Sequence, residues 1–244
     1  MTTHEAGSGS VTLLMPVLNE IDGLKAILPQ IDRSLFVEIL VVDGGSTDGS
    51  AALAQQMGLR VYRQQRPGLG YGVLEGVRLA NSEFVIEFSP DGNCLAEDLP
   101  ALVGKLREGF DLVVMSRYLP PAKSYDDTRI TALGNWIFSQ LIGALSRSDL
   151  TDALTMFRGF RRDKFLSAEF ERYVFGPVYE PLVSCWSSLH RLKMTELPSD
   201  EPPRLGGVKK MGVVYNGSCV LLMVARLYLL RIRHFFRSTP VADD

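Results

Sequence analysis

The chain has 244 residues, of which 26 are Lys or Arg and 28 are Asp or Glu, so its formal net charge is −2. Hydrophobic residues make up 46% of the chain, which is too many for a disordered protein, and the positive excess of most nucleic-acid-binding domains is missing. We therefore expect one large globular domain, or one domain with an appendage, and no nucleic-acid partner.

The cysteines and the ends of the chain give a few further expectations. Cys94, Cys185 and Cys219 have no CxxC spacing, which indicates neither a disulfide framework nor a zinc site and favours a reducing compartment. Residues 1–10, MTTHEAGSGS, lack the pattern of a secretion signal, and we predict a disordered tail there. The longest uncharged runs are shorter than the roughly 20 apolar residues of a spanning helix, so none is expected.

The first half of the chain alternates apolar runs with helical stretches. Strands are predicted at 11–16, 37–43, 60–65, 83–88 and 110–116. Helices are predicted over 21–31 with a break near Pro29, over 51–57 behind a cap at Ser46 or Thr47, over 68–80 and over 95–108. This alternation indicates a parallel sheet with right-handed crossovers.

Polar clusters follow three of the predicted strands, at 19–20, 43–48 and 89–93. One D-G-G-S turn alone would usually be only a tight turn. Ligands of parallel sheets bind at the carboxyl ends of strands, so three clusters together predict a nucleotide or phosphate site. The chain has no GxxxxGK[ST] segment, which excludes a P-loop NTPase, and GLGYG follows the third strand, which argues against a Rossmann dinucleotide fold.

The order of six short segments is specific: PVLNE, VVDGGSTDGS, RPGLGYGVLEGVRLA, PDGN, SRY and DLTDALTMFR. In this order, from about Val11 to about Met211, the chain resembles family-2 glycosyltransferases, and most of all their dolichyl-phosphate mannose synthase and polyprenyl-phosphate glycosyltransferase branch. The resemblance implies an α/β GT-A fold over 11–210, with a mainly parallel twisted sheet flanked by helices. It also implies an inverting transfer of sugar from a nucleoside-diphosphate sugar to a polyprenyl phosphate.

The resemblance assigns residues to the donor site. Pro16, Glu20, Asp43 and Ser89 are expected to bind the nucleotide, although Asp43 could instead cap a turn and Glu20 could simply suit a helix start. The family's D-x-D motif falls on Ser89-Pro90-Asp91, so Ser89 replaces the first Asp. Asp91 and Asn93, with diphosphate oxygens, are expected to hold Mg²⁺ or Mn²⁺, and the alternative is a D-G-N turn without metal.

Basic residues match positions that the branch uses on phosphates. With Asp91, the resemblance makes Arg117 and Arg204 catalytic, and it places Arg129, Lys209 and Lys210 on the acceptor phosphate. The lysine match is partial, because the family has Ser and Lys there. Glu180 is expected on the acceptor side as well. A further set, Asp149, Thr151 and Arg158, matches a motif near the acceptor, and a structural polar network is an equal alternative.

The end of the chain is basic. From Pro202 to Arg237 there are seven Lys or Arg and no Asp or Glu. A helix over 211–237 would place Arg226, Arg233 and Arg237 within about 40° of one another, with apolar residues around much of the rest. Such a helix suits an anionic membrane surface, which predicts a cytoplasmic protein, peripheral at the cytosolic face of the membrane. The alternative is a helix that packs on the catalytic domain or in a dimer.

Three functions stay open. The first is sugar transfer to polyprenyl phosphate. A phosphate monoester has a second pKa of about 6 and needs no general base, and its charge fits the basic residues and the basic helix. A soluble transferase with a hydroxyl acceptor would need a base, for which Glu180 is the candidate. Ser89 also leaves room for a degenerate subunit that only binds sugar-nucleotide.

Overall fold

The computed structural model describes residues 7–146, 149–205 and 212–238. Its centre is a seven-stranded sheet in the order β3-β2-β1-β4-β6-β5-β7. The strands are β1 (Val11–Val17), β2 (Glu38–Asp43), β3 (Arg60–Arg63), β4 (Phe84–Glu87), β5 (Leu112–Ser116), β6 (Arg158–Arg161) and β7 (Met194–Pro198). All pairs of neighbours are parallel except those of β6, which runs antiparallel to β4 and β5.

Helices cover both faces of the sheet. They are α1 (Ile21–Ile27), α2 (Ser50–Gln56), α3 (Leu69–Leu79), α4 (Leu99–Arg107), α5 (Arg129–Ser146), α6 (Ala168–Glu171), α7 (Tyr179–Leu189) and α8 (Val213–Ser238). Short 3₁₀ turns occur at Leu28–Gln30, Arg33–Leu35, Ala96–Asp98 and Arg162–Phe165.

Each face of the sheet packs into its own apolar core. Successive residues of a strand point to opposite faces, so Leu13 joins the core under α1 and α4 while Leu14 joins the core under α3, α5, α7 and α8. Gly76 lets α3 approach β1 closely, because a Cβ there would clash with Leu14. Strands β1, β2, β4 and β5 are buried on both sides, which is why they read as nearly continuous apolar runs.

The five predicted strands are all present, at slightly different ends. The third is shorter than predicted and stops at Arg63. The first helix ends at Ile27 and passes into a 3₁₀ turn that contains Pro29, in line with the predicted break. Strands β6 and β7 were not predicted, because they are only four and five residues long and contain charged residues.

Two local predictions were wrong. Neither Ser46 nor Thr47 caps α2, which begins after Gly49 (φ 94°), because both residues bond to the loop after β1 instead. Part of the predicted disordered tail is ordered: Ser10 N donates to Gly7 O (3.0 Å), and Gly9 N donates to Glu83 (2.7 Å). Residues 1–6 lie outside the described residues.

The predicted C-terminal helix is present as α8. One side of it packs on α5 and α7 and buries Val220, Met223 and Leu227 in the core. Full burial of such a side chain stabilises a fold by about 1.5–3 kcal/mol, so the first turns of α8 are part of the globular core. None of the helices in the described ranges combines the length and apolar content that crossing a membrane requires.

Candidate active site

A cavity of about 750 Å³ opens at the carboxyl ends of β1, β2, β4 and β5. At one end it is lined by Pro16, Glu20, Ser89 and Asp91. At the other end it is lined by α5 and the start of α8. A second hollow of about 690 Å³ lies at the opposite edge of the sheet, around Ser10 and Arg161, away from these polar residues. The larger cavity is the candidate site, because sheets of this kind bind ligands at the carboxyl edge.

Hydrogen bonds join the first two polar clusters. Asn19 has a left-handed backbone (φ 54°), and its N–H donates to Ser46 Oγ at 3.0 Å. Its side-chain oxygen accepts from Thr47 N at 2.7 Å. Glu20 N donates to Ser50 Oγ at 2.9 Å, which places the Glu20 side chain on the cavity. The loops after β1 and β2 therefore form one hydrogen-bonded wall of the cavity.

The carboxylate of Asp43 is used inside this wall. It accepts hydrogen bonds from Ser46 N (2.9 Å), Gly45 N (3.2 Å) and Arg63 Nη1 (2.6 Å). Burial alone would raise the pKa of Asp43, but these bonds outweigh it and hold the pKa below its ordinary value. Its neighbours Val42 and Gly44, rather than Asp43, are the residues of this turn that line the cavity. The carboxylate of Asp43 thus caps the turn, which is the alternative role that the sequence analysis gave for it.

The turn after β4 carries the metal-ligand candidates. Gly23 of α1 lies directly against it, because a Cβ there would clash with Pro90 O. Asp91 is 4% exposed, and its Oδ1 accepts from Asn93 N at 3.1 Å. Arg204 Nη1 lies 3.1 Å from Asp91 Oδ2, and Leu205 N donates to Asp91 O at 2.8 Å. The segment after β7 therefore closes over this turn.

These residues suit a divalent cation. Asn93 Oδ1 is buried without a hydrogen-bond partner, and Asp91 supplies a carboxylate, so both offer the oxygen ligands that Mg²⁺ and Mn²⁺ prefer. Within the described residues, no group of three or more His, Cys, Asp or Glu could hold a metal alone. An ion here would also need oxygen atoms from a diphosphate.

Arg117 is held by two carboxylates. Its Nε and Nη2 lie 2.6 and 3.0 Å from the two oxygens of Asp152, and its Nη1 lies 3.1 Å from Glu201. Burial alone would raise the pKa of Asp152, but the charge of Arg117 and its hydrogen bonds together outweigh burial and lower the pKa below the ordinary value. Arg117 lines the cavity, although its donors are largely occupied by protein oxygens.

A buried charged cluster joins β4, β6 and α7. Arg158 is fully buried and donates to Glu180 O (2.7 Å) and Ser184 Oγ (2.9 Å). Glu180 lines the cavity at the start of α7, and burial raises its pKa. Glu87 on β4 is also fully buried, and burial, then the charge of Glu180, raises its pKa well above the ordinary value. Arg158 is therefore part of a structural network rather than a substrate contact.

The remaining predicted residues are dispersed. Arg129 is the exposed first residue of α5 and does not line the cavity. Asp149 is exposed, and Thr151 is bonded to Ser116 Oγ and the Glu196 carboxylate. Lys209 and Lys210 lie outside the described residues.

Four acidic residues at the site or beneath it were not predicted: Glu87, Asp126, Asp152 and Glu201. A signal existed for Glu87, since it is a charged residue inside a predicted buried strand. Asp152 stands in the DLTDALTMFR segment, but nothing in the sequence distinguished it from Asp149. For Asp126 and Glu201, which lie in irregular loops, the sequence offers no periodicity that could reveal a contact.

Known proteins resemble this chain in sequence and in fold. Glycosyltransferase AglJ of Haloferax volcanii is 30% identical over 221 residues, which cover 89% of this chain and 71% of the relative. A dolichyl-phosphate hexose transferase of the same organism is 28% identical over 155 residues, covering 63% and 67%.

Among solved structures, glucosyl-3-phosphoglycerate synthase from Mycobacterium tuberculosis, in complex with Mn²⁺, UDP-glucose and glycerol 3-phosphate, has a TM-score of 0.65. The two chains are 21% identical, and the match covers 89% of this chain and 78% of that one. The likeness confirms the predicted GT-A fold.

The sequence profile of Glycosyl transferase family 2 matches residues 12–167, which run from β1 to β6 and include the polar turns after β1, β2 and β4. The resemblance predicted from the motifs is confirmed, and the chain is a glycosyltransferase that belongs to glycosyl transferase family 2.

Proposed function

We propose that this glycosyltransferase inverts the anomeric centre while it moves a sugar from a nucleoside-diphosphate sugar to a polyprenyl phosphate at the cytosolic membrane face. The observation that carries the proposal is the shape of the cavity. It is continuous from the polar turn at Asp91 to an apolar end formed by Ile130 and Phe138 of α5 and Val220 of α8. A substrate with a phosphate head and a hydrocarbon tail matches that sequence of surfaces.

On the donor side, Pro16 and Glu20 would contact the nucleoside. Asp91 and Asn93 would hold Mg²⁺ or Mn²⁺ against the diphosphate, and such an ion neutralises the charge that develops on the leaving group. Arg204 reaches the same place and would add a bidentate contact to phosphate oxygens. Lys209 and Lys210 would extend this positive charge towards the acceptor.

On the acceptor side, the protein would mainly position its substrate. A phosphate monoester is largely a dianion at neutral pH, because its second pKa is about 6. Its oxygen can attack the anomeric carbon without giving up a proton first, so alignment and leaving-group stabilisation would supply most of the catalysis. Glu180 would then border the acceptor without acting as a base.

The surface around the apolar end supports a lipid substrate. On α5, Ile130, Leu133 and Trp136 are 74%, 57% and 59% exposed. On α8, which packs against α5, Leu221 and Leu229 are 53% and 59% exposed. Exposed apolar groups beside a basic helix are typical of membrane-surface binding. The name of the dolichyl-phosphate hexose transferase points to the same acceptor class.

The second candidate is a soluble transferase with a hydroxyl acceptor. It is favoured by the solved structure of similar fold, whose complex contains glycerol 3-phosphate, and by Glu180 on the cavity wall. In that case Glu180 would be the general base.

The test is a transfer assay with the purified full-length protein. Radiolabelled UDP- and GDP-sugars would be offered with Mg²⁺ or Mn²⁺, together with polyprenyl phosphate in vesicles or with water-soluble alcohols. After extraction with organic solvent, we expect the radiolabel in the organic phase only when the lipid phosphate is present. Label that appears only on water-soluble alcohols would establish the second candidate.

A further inference from the structure

Two carboxylates share the Arg204 guanidinium. Arg204 Nη1 lies 3.1 Å from Asp91 Oδ2, and Arg204 Nε lies 3.6 Å from Asp126 Oδ2. Asp91 follows β4, whereas Asp126 comes from the long loop between β5 and α5. A side chain of charge +1 thus occupies a position between two charges of −1, at the turn where a divalent cation is expected.

Asp126 also contacts the other metal-ligand candidate. The Asn93 amide nitrogen lies 3.4 Å from Asp126 Oδ2 and 3.4 Å from Glu201 Oε1. These contacts leave Asn93 Oδ1 buried and without a partner. Asp91, Asn93 and Asp126 therefore bring a carboxylate, an orphaned amide oxygen and a second carboxylate to the same part of the cavity lining.

Ser89 removes one carboxylate from this turn. With only Asp91 charged, the turn after β4 offers a divalent ion half the charge of an intact D-x-D motif. Ser89 lines the same cavity, so the position is accessible even though its charge is missing. Mg²⁺ and Mn²⁺ are hard cations that bind carboxylates preferentially, and one or two carboxylates with substrate phosphates is their common arrangement.

We propose that Asp126 supplies the carboxylate that Ser89 lacks, and that Arg204 is a resident cation which the divalent ion displaces from Asp91 and Asp126. An ion of charge +2 is attracted to the two carboxylates more strongly than a guanidinium of charge +1. Once displaced, Arg204 is free to bind the diphosphate, whose planar groups of oxygens match its fork of donors. Metal binding and phosphate binding by Arg204 thereby become one coupled event.

The inference rests on the nucleotide-sugar donor of the proposed function and not on its acceptor. It is tested by binding alone. Electron paramagnetic resonance of free Mn²⁺ measures the Mn²⁺ affinity of the full-length protein with saturating UDP or GDP, and again without nucleotide. Circular dichroism of each variant confirms that it is folded.

Three variants and a control define the expected result. Asp126→Asn should weaken Mn²⁺ binding in the presence of nucleotide by at least ~10-fold, the scale seen for residues that support a metal. Adding Ser89→Asp to that variant should restore the affinity, because it returns a carboxylate to the D-x-D position. Arg204→Gln should strengthen binding of Mn²⁺ alone while it weakens binding of the nucleotide.

Asp127→Asn is the matched control. Asp127 is the next residue and lines the same cavity, but its carboxylate bonds to Tyr118 OH and Asn135. Its loss should leave Mn²⁺ affinity unchanged.

Two results would overturn the inference: wild-type Mn²⁺ affinity in Asp126→Asn, or a loss that Ser89→Asp does not restore in a folded protein. If the wild type binds no Mn²⁺ with either nucleotide, the donor side of the proposed function fails with it. If Mn²⁺ and nucleotide bind together without dependence on Asp126, only this inference fails.

Discussion

Arg117 and Asp152 form a bidentate ion pair in which Asp152 is fully buried and the Arg117 side chain is 13% exposed. Removal of one partner leaves the other charge buried and unpaired. We therefore expect Arg117→Ala to lower the free energy of unfolding by about 3–5 kcal/mol, measured by urea denaturation. The control is Arg60→Ala, which breaks the exposed pair with Glu38 and should cost less than about 1 kcal/mol. Equal losses in the two variants would contradict this view of Arg117.

The same pair predicts an acid dependence of stability. The pKa of Asp152 is lower in the folded protein than its ordinary value of 3.8. A depressed carboxyl pKa contributes stability that is present above the unfolded pKa and is lost as the pH falls through the folded pKa. The free energy of unfolding should thus fall below pH ~4 in the wild type and change less steeply in Asp152→Asn, in unfolding experiments from pH 6 to pH 2. If the free energy of unfolding fell equally with pH in both proteins, Asp152 would not contribute to the acid dependence.

Glu87 predicts the opposite dependence. Burial, then the charge of Glu180, raises its pKa well above 4.5. A raised carboxyl pKa gives stability that is fully present below the unfolded pKa and is lost as the pH rises through the folded pKa. Glu87→Gln should therefore gain stability relative to the wild type as the pH rises above 4.5, by urea denaturation at a series of pH values. A constant difference between the two proteins would show that Glu87 ionises normally.

Substitution of Asp91 and of Ser89, at the two ends of one tripeptide, gives a controlled test of the catalytic role of Asp91. Asp91→Ala should lower the transfer rate by at least ~10²-fold, because stabilisation of a leaving group is commonly worth that much. Ser89→Ala changes the other end of the same tripeptide and should alter the rate little, since its hydroxyl carries no charge. Initial rates at saturating donor and metal give the comparison. Near-normal turnover in Asp91→Ala would remove Asp91 from the catalytic set.

The two tryptophans offer a direct readout of membrane binding. Trp136 on α5 is 59% exposed, whereas Trp186 on α7 is 4% exposed. Anionic vesicles should shift the fluorescence of Trp136 to shorter wavelength as its indole leaves water. The shift should persist in Trp186→Phe and vanish in Trp136→Phe.

Reversal of Arg226, Arg233 and Arg237 to Glu should release the protein from the same vesicles, as should high salt, because each cation near an anionic surface contributes ~1 kcal/mol. Reversal of Lys25, Lys105 and Lys164, on other elements, is the control. Co-sedimentation that is insensitive to all six residues would contradict a membrane role for α8.

The sequence predicted the parts of the site that depend on strand order. Asp91 and Glu20 follow apolar strands, and parallel strands end at one edge, so their convergence on one cavity could be expected. The partners of Arg204 could not be predicted, because Asp91 and Asp126 come from different loops that have no repeating pattern. The same holds for α8. Its apolar residues are visible in the sequence, but only packing distinguishes Met223, which is buried, from Leu222, which is 47% exposed.

The antiparallel strand β6 separates β4 from β5 by two strand spacings, about 10 Å. Asn93 follows β4 and Arg117 follows β5, and these two strands are not neighbours in the sheet. Glu201 nevertheless contacts both side chains. Glu201 is therefore a carboxylate through which these two turns are joined directly, so its loss would let Asn93 and Arg117 move independently of each other.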